Sequence, residues 1–194
     1  MKPPFLRLIL IAGLLATAAL AILPRLMVAT NDGTQIGGAF TLVDHTGRQV
    51  SEADYRGKIM LVFFGYSFCP DVCPTTLATV AQAVESLTPS EQNQLAPLFI
   101  TVDPERDTVP KMADYVANFS PAIIGLTGSP EQIKAVSQAY RVYARKVEEG
   151  NGPYSVDHSA ILYLMDGKGR YVTHFDPSVT SDRLVAAIRK QLGS

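Results

Sequence analysis

Apolar positions along the chain follow two regimes. Residues 8–23 (LILIAGLLATAALAIL) form one uncharged run without a polar face, while from residue 40 onward short apolar runs alternate with segments of helical period. Residues 59–65 (IMLVFFG) are apolar throughout, as a central strand covered on both faces is. Leu77, Val80, Ala81 and Val84 give residues 74–87 a helical period. Residues 98–102 predict a second buried strand, 110–119 a helix with Asp107 or Thr108 near its cap, and 123–126 a short strand. A helix over 131–140 follows Ser129 and Pro130, and 142–146 reads as a strand. Two hairpins frame this body. Residues 40–43 and 48–51 flank Asp44, His45, Thr46 and Gly47; residues 160–165 and 171–175 flank Asp166, Gly167, Lys168 and Gly169. An amphipathic helix over 182–192 closes the chain. Strands separated by helices, then a hairpin and a helix, predict an α/β fold with a mixed central sheet flanked by helices.

The first run concerns location. Its 16 residues fall slightly short of the ~20 that span a bilayer. Lys2 and Arg7 precede it, and Arg25 follows within snorkelling reach of an interface. A cleaved signal peptide and an uncleaved signal-anchor both fit. The small residues Ala16, Thr17 and Ala18 lie inside the run rather than after it, which favours the anchor, an N-terminal transmembrane helix. The organisation expected is a membrane anchor over 1–29, a small polar linker over 30–38 and a body over 39–194. A basic amino end stays cytoplasmic, so the body is exported. The short basic lead without an Arg- and Ser-rich leader points to a single-pass protein of a bacterial inner membrane, its body in the periplasm.

Charge and composition narrow the class. Residues 1–29 carry three basic side chains and no acid, whereas the remainder carries 14 basic and 18 acidic ones. The total of −1 leaves no global basic field for nucleic acid. At 47% apolar and 18% charged residues the chain packs a core rather than staying disordered. Two cysteines are too few for a disulfide scaffold or a four-cysteine zinc or iron–sulfur site.

Those two cysteines carry the chemistry. Cys69 and Cys73 stand in GYSFCPDVCPTTL at 65–77, after the carboxyl end of a buried strand and before a helix, where open α/β sheets bind ligands. Each precedes a proline and is biased away from helical geometry. Pro74 suits the first helical position, making Cys73 the expected N-cap, with a thiol pKa lowered by the helix dipole. The four-residue step brings both sulfurs close enough for a disulfide or one shared metal. A structural disulfide closing so short a loop stabilises little. Two thiolates suit Cu(I), a soft ion content with few ligands, whereas zinc wants four ligands or three and water.

Three histidines compete for a third ligand position. His45 lies in a hairpin turn and is expected to face solvent; His174 lies on an exposed strand edge. His158 stands in VDHS at the entry to the 160–165 strand, after a Gly-, Asn- and Pro-containing loop (148–154) expected to move. Asp157 or a backbone carbonyl is positioned to orient its ring. Two further features have ordinary explanations beside functional ones. TVDPERDT at 101–108 reads as strand exit, turn and helix cap, with Arg106 in a local ion-pair network; the alternative is a loop that docks a partner or supports the site. Tyr66 and Phe68 read as aromatics capping the core, the alternative being a shield of the site from water.

With these motifs in place the chain resembles the Sco/SenC family, copper chaperones of cytochrome c oxidase assembly. The resemblance runs from Phe40 to Leu192 through GYSFCPDVCPTTL, TVDPERDT, IIGLTG at 123–128 and YSVDHSAILYLMDGKG at 154–169. It implies a thioredoxin-like fold, an N-terminal anchor, and copper ligands at Cys69, Cys73 and His158, with one copper per chain as Cu(I) or Cu(II). Acidic residues near the family's site match Asp71 and Asp103. The implied role is a metallochaperone delivering copper to the CuA centre of oxidase subunit II, in exchange with other periplasmic copper chaperones or thiol reductases. Two alternatives use the same residues: a thiol–disulfide oxidoreductase keeping the oxidase copper-site cysteines reduced, and a copper- or redox-responsive signalling protein.

Overall fold

The computed structural model describes residues 36–148, 150 and 152–193. The expected anchor and the linker up to residue 35 lie outside the described residues. Among the described residues no helix is long and apolar enough to cross a membrane.

Among the described residues nine strands and five α-helices follow one another. They are β1 (Thr41–Asp44), β2 (Gln49–Ser51), β3 (Ile59–Gly65), α1 (Val72–Glu85), α2 (Pro89–Asn93), β4 (Leu95–Thr101), α3 (Val109–Ala117) and β5 (Ile124–Thr127), then α4 (Pro130–Ala139), β6 (Ala144–Val147), β7 (Ser155–His158), β8 (Leu162–Met165), β9 (Tyr171–Phe175) and α5 (Ser181–Leu192). A 3₁₀ turn at Glu52–Tyr55 links β2 to β3. Seven strands make one mixed sheet in the order β2-β1-β5-β4-β3-β8-β9, while β6 and β7 form a separate two-stranded ribbon. Strands β3, β4 and β5 are mutually parallel, and β1 and β8 join this centre antiparallel.

Every residue of β3 and β4 is buried, because helices cover both faces. The strand period of two sorts β3 between two cores. Ile59, Leu61 and Phe63 meet Leu77, Val80 and Val84 of α1 and Leu184 and Ile188 of α5. Met60, Val62 and Phe64 meet Ile133, Val136 and Tyr140 on the side of α4. Each fully buried phenylalanine contributes roughly 1.5–3 kcal/mol of transfer free energy.

Three expectations need correction. The second buried strand, expected over 98–102, runs over Leu95–Thr101 as β4, with Pro97 inside it opposite Leu61. Pairing of β4 with β5 begins only at Leu98, so Pro97 falls outside that ladder, where a missing N–H is tolerated. Helix α1 begins at Val72 rather than at Pro74. Residues 155–158, expected as strand entry, form β7, and the β8 strand starts only at Leu162.

The chain reaches the ribbon through the end of α4. Val142 donates its N–H to the Ser137 carbonyl (2.8 Å) and Arg141 to that of Gln138 (3.1 Å), with Arg141 at φ 56°. This is a Schellman ending with a non-glycine residue in the left-handed position. It turns the chain directly into β6, the partner of the strand that carries His158.

Candidate metal centre

The cysteine loop leaves the carboxyl end of β3 at the middle of the sheet. Gly65 has no side chain because none fits: a Cβ there would lie 2.5 Å from Cys73 Sγ and 2.8 Å from Phe99 Cε2. The loop is fastened from below by Asp107, which is fully buried. Its carboxylate accepts from the Ser67 N–H (3.0 Å), the Ser67 hydroxyl (2.5 Å) and the Thr101 hydroxyl (2.6 Å). Asp107 was expected near a helix cap. It is instead the anchor of the cysteine loop, a role that required β4 and the loop to meet.

Cys69 and Cys73 are both free thiols and both buried, at 8% and 0% exposure. Asp71, not Cys73, is the N-cap of α1, so Cys73 lies within the first turn. The expected pKa assignment is therefore reversed. The Cys69 thiol is pushed down to about 5, first by a hydrogen bond from Cys73, then by the N–H groups of Asp71 and Cys73. The Cys73 thiol is pushed up, first by that same hydrogen bond to Cys69 and then by burial. The two thiols titrate as a pair: their mutual hydrogen bond favours the thiolate on Cys69, and burial further opposes ionisation of the deeper Cys73.

The imidazole arrives from the opposite side. His158 ends β7, where it pairs with Ala144 of β6. Its Nδ1 lies 3.0 Å from the Val156 carbonyl, and its Nε2 lies 3.5 Å from Cys73 Sγ. With Nδ1–H donating to this carbonyl, the Nε2 lone pair faces sulfur. Of the two orienting groups expected, the backbone carbonyl is the one used; Asp157 pairs with Arg145 at 3.3 Å. The ring of Tyr66 meets His158 edge-on, with centroids 5.4 Å apart, and its hydroxyl accepts the Val156 N–H at 3.3 Å. Tyr66 thus supports the residue that orients the histidine, beyond capping the core. Phe68 is 51% exposed beside the cysteines, so it caps no core at all.

His45 and His174 stay apart from the thiols. His45 is half-buried rather than turned wholly to solvent: its Nδ1 accepts the Gly125 N–H at 3.1 Å, tying the first hairpin to β5. His174 is exposed and meets the Tyr171 hydroxyl at 2.5 Å. Asp71 is exposed at the helix start. Asp103 is fully buried and faces away from ligation: it accepts from Arg106 Nε and from the Tyr154 hydroxyl at 2.8 Å.

Among the described residues no group of three His, Cys, Asp or Glu side chains is gathered into a closed metal site. The sulfur–nitrogen spacing is nevertheless that of two ligands of one ion. Bonds of about 2.3 Å to sulfur and about 2.0 Å to nitrogen, at a near-tetrahedral angle, separate the donors by about 3.5 Å. A buried dithiol with one acidic thiol, facing an imidazole, suits a soft, low-coordinate ion.

A mixed sheet flanked by helices, with two thiols after a central strand, defines a thioredoxin-like protein, here one with a histidine facing the dithiol. The family model described as SCO1/SenC matches residues 28–193. The chain belongs to the SCO1/SenC family. It is 41% identical over 157 residues to the Protein SCO1 homolog 1, mitochondrial, of Arabidopsis thaliana, covering 81% of this chain and 47% of that protein. It is 40% identical over 165 residues to Protein sco1 of Schizosaccharomyces pombe, covering 84% of this chain and 63% of that one. The chain therefore spans about half to under two-thirds of the length of these relatives. Among solved structures, Bradyrhizobium japonicum ScoI with copper bound is 41% identical, with TM-score 0.76, covering 80% of this chain and 99% of that chain. Yeast Sco1 with copper bound is 36% identical, with TM-score 0.74, covering 82% and 90%.

Proposed function

We propose that this protein is a copper metallochaperone whose site is Cys69, Cys73 and His158, with copper as cargo. The observation that carries the reading is the presentation of His158 Nε2 to Cys73 Sγ at 3.5 Å, with its other nitrogen held by the Val156 carbonyl. Copper-bound relatives of the same fold support it. Cys69 meets the ion as a thiolate, and Cys73 releases its proton as it binds. His158 adds a nitrogen donor, which matters little to Cu(I) and much to Cu(II), an ion that prefers more ligands. A site that serves both states with few ligands can pass its cargo on by ligand exchange. We place the body on the periplasmic side of a bacterial inner membrane and the recipient at the CuA centre of oxidase subunit II.

The test is copper loading of wild type and His158→Ala, reduced anaerobically, with Cu(I) and Cu(II) offered separately. One copper per chain is expected, with a thiolate-to-Cu(II) charge-transfer band lost in the variant while Cu(I) is retained. Equal loss of both ions refutes the divided roles of the ligands.

The acidity of Cys69 favours a second reading, thiol–disulfide exchange. The Cys69 thiolate would attack a partner disulfide, releasing one partner thiolate and forming a mixed disulfide. Cys73, losing its proton, would then attack Cys69 and release the second partner thiol. The partner gains two electrons and the dithiol loses two. A relative of this fold, BsSco, is described as carrying a disulfide switch, at 21% identity a likeness of fold alone. Disulfide-reductase turnover that persists in His158→Ala, without stoichiometric copper binding, supports this reading over the first.

A further inference from the structure

We infer that Arg106 is a positioning residue: it clasps the β6–β7 ribbon onto the cysteine loop and so sets where His158 stands. The inference rests on the copper-site reading for its consequence but on geometry alone for the clasp. The Arg106 guanidinium lies 3.7 Å from the ring centroid of Tyr154, 4.7 Å from that of Phe68 and 5.6 Å from that of Tyr66. Tyr154 leads into the ribbon, whereas Tyr66 and Phe68 belong to the cysteine loop. The same group donates from Nη1 to the Tyr154 carbonyl at 2.8 Å and from Nε to Asp103. Asp103 in turn accepts the Tyr154 hydroxyl, and its own N–H is held by the Thr101 hydroxyl of β4 at 2.9 Å.

The clasp thus runs from the central sheet through Asp103 and Arg106 to Tyr154. Two residues beyond Tyr154 is Val156, whose carbonyl orients the His158 ring. A two-stranded ribbon is marginal by itself, so its order depends on being fastened. Arg106 is suited to this and lysine is not. Only a planar fork can stack on an aromatic face while donating in two directions. Its Nη2 is buried without a hydrogen-bond partner, so the stack and the two bonds, not full hydrogen-bonding of the group, account for its placement. A second cation, Lys146 of β6, pairs with Glu105 at 2.5 Å and lies 4.8 Å from the Tyr154 ring. It works in the same direction from an exposed position, where ion pairs are worth little.

The experiment compares full-length wild type with Arg106→Gln and Arg106→Lys by amide hydrogen exchange without metal, then by copper loading. Exchange over residues 155–158 is expected to accelerate at least about tenfold in both variants, with amides of β3 and β4 unchanged. Cu(II) retention is expected to fall by about 10–100-fold, as outer contacts of a metal ligand typically cost, while Cu(I) stays bound. Unchanged ribbon exchange in Arg106→Gln overturns the clasp whatever the copper result. Restoration by lysine overturns it too, in favour of a simple charge. If wild type binds no stoichiometric copper, the copper-site reading fails, and the exchange arm still decides the clasp. Should Arg106→Gln unfold globally, Tyr154→Leu removes the stacked ring from the ribbon side and leaves Arg106 with Asp103. The same local loosening is expected there, and its absence counts against the inference.

Discussion

Replacing Gly65 by alanine should damage the dithiol more than it damages the fold. The residue ends β3 opposite Thr101 of β4, and its backbone is not in the left-handed region, so alanine meets no dihedral penalty. The obstacle is space. The new Cβ would stand 2.5 Å from Cys73 Sγ and 2.8 Å from Phe99 Cε2, against the ~3.5–4.0 Å of a relaxed contact. Both neighbours are fully buried, and Cys73 is held in the first turn of α1, so neither can swing away freely. Overpacking of this kind costs about 1–3 kcal/mol, of which the reduced freedom of the unfolded chain returns about 0.4–1. The melting temperature of the metal-free protein should therefore fall by no more than about 10 °C. The sulfur must move by about 1 Å to clear the methyl, whereas ligand distances tolerate about 0.2 Å. Copper affinity should drop well beyond what stability predicts. Thermal melts with a competitive Cu(I) titration measure the two effects separately. Gly125→Ala is the control, since its nearest neighbours are side-chain atoms of Val116 (3.0 Å) and Met112 (3.2 Å), away from the thiols. A Gly65→Ala protein that keeps wild-type copper affinity would refute the argument that this glycine makes room for the sulfur.

Three other outcomes follow from the same geometry. Tyr66→Phe keeps the ring against His158 but leaves the Val156 N–H without its acceptor; urea unfolding should show a loss of about 1 kcal/mol, and the Cu(II) spectrum should broaden while Cu(I) binding persists. Asp107→Ala strands the Ser67 N–H and the hydroxyls of Ser67 and Thr101, and should cost about 3 kcal/mol in the same assay; a loss under about 1 kcal/mol would show that the loop is held elsewhere. The third concerns pH. Cys69 is depressed in the fold to about 5, so its contribution is complete only above its ordinary 9.0 and is lost as pH falls through about 5. Cys73 is raised, so its contribution is present below its ordinary 9.0 and is lost at higher pH. Reduced, metal-free protein should gain stability from pH about 5 toward 9 and lose it above. Thiolate absorbance should already report one ionised thiol near neutrality; absorbance that appears only above pH about 8, as for ordinary cysteine, contradicts the paired titration.

Much of this protein was legible without coordinates. The unbroken apolar run of residues 59–65 reads as a strand covered on both faces, and β3 has those bounds. The loop with Cys69 and Cys73 had to follow its carboxyl end, because the helical period of α1 begins there. Family motifs then joined His158 to the pair. Local pattern suffices for such features because burial and chain direction act over a few residues. It did not suffice for β7, which draws its order from pairing with β6, nor for the ranking of the two thiols. Which sulfur keeps the proton depends on their mutual hydrogen bond and on depth, and both are properties of the assembled sheet and helix. Asp107, Tyr66 and Arg106 show the same limit. Each reads first as a turn, cap or core residue in sequence, yet each joins segments 40 to 90 residues apart. The sequence by itself determined the α/β class, the dithiol and its place at a strand end, since these follow from short-range periodicity and spacing. Only the tertiary structure decided how the imidazole, the acidic thiol and the guanidinium clasp meet, because those contacts exist only after distant segments have paid the entropy of coming together.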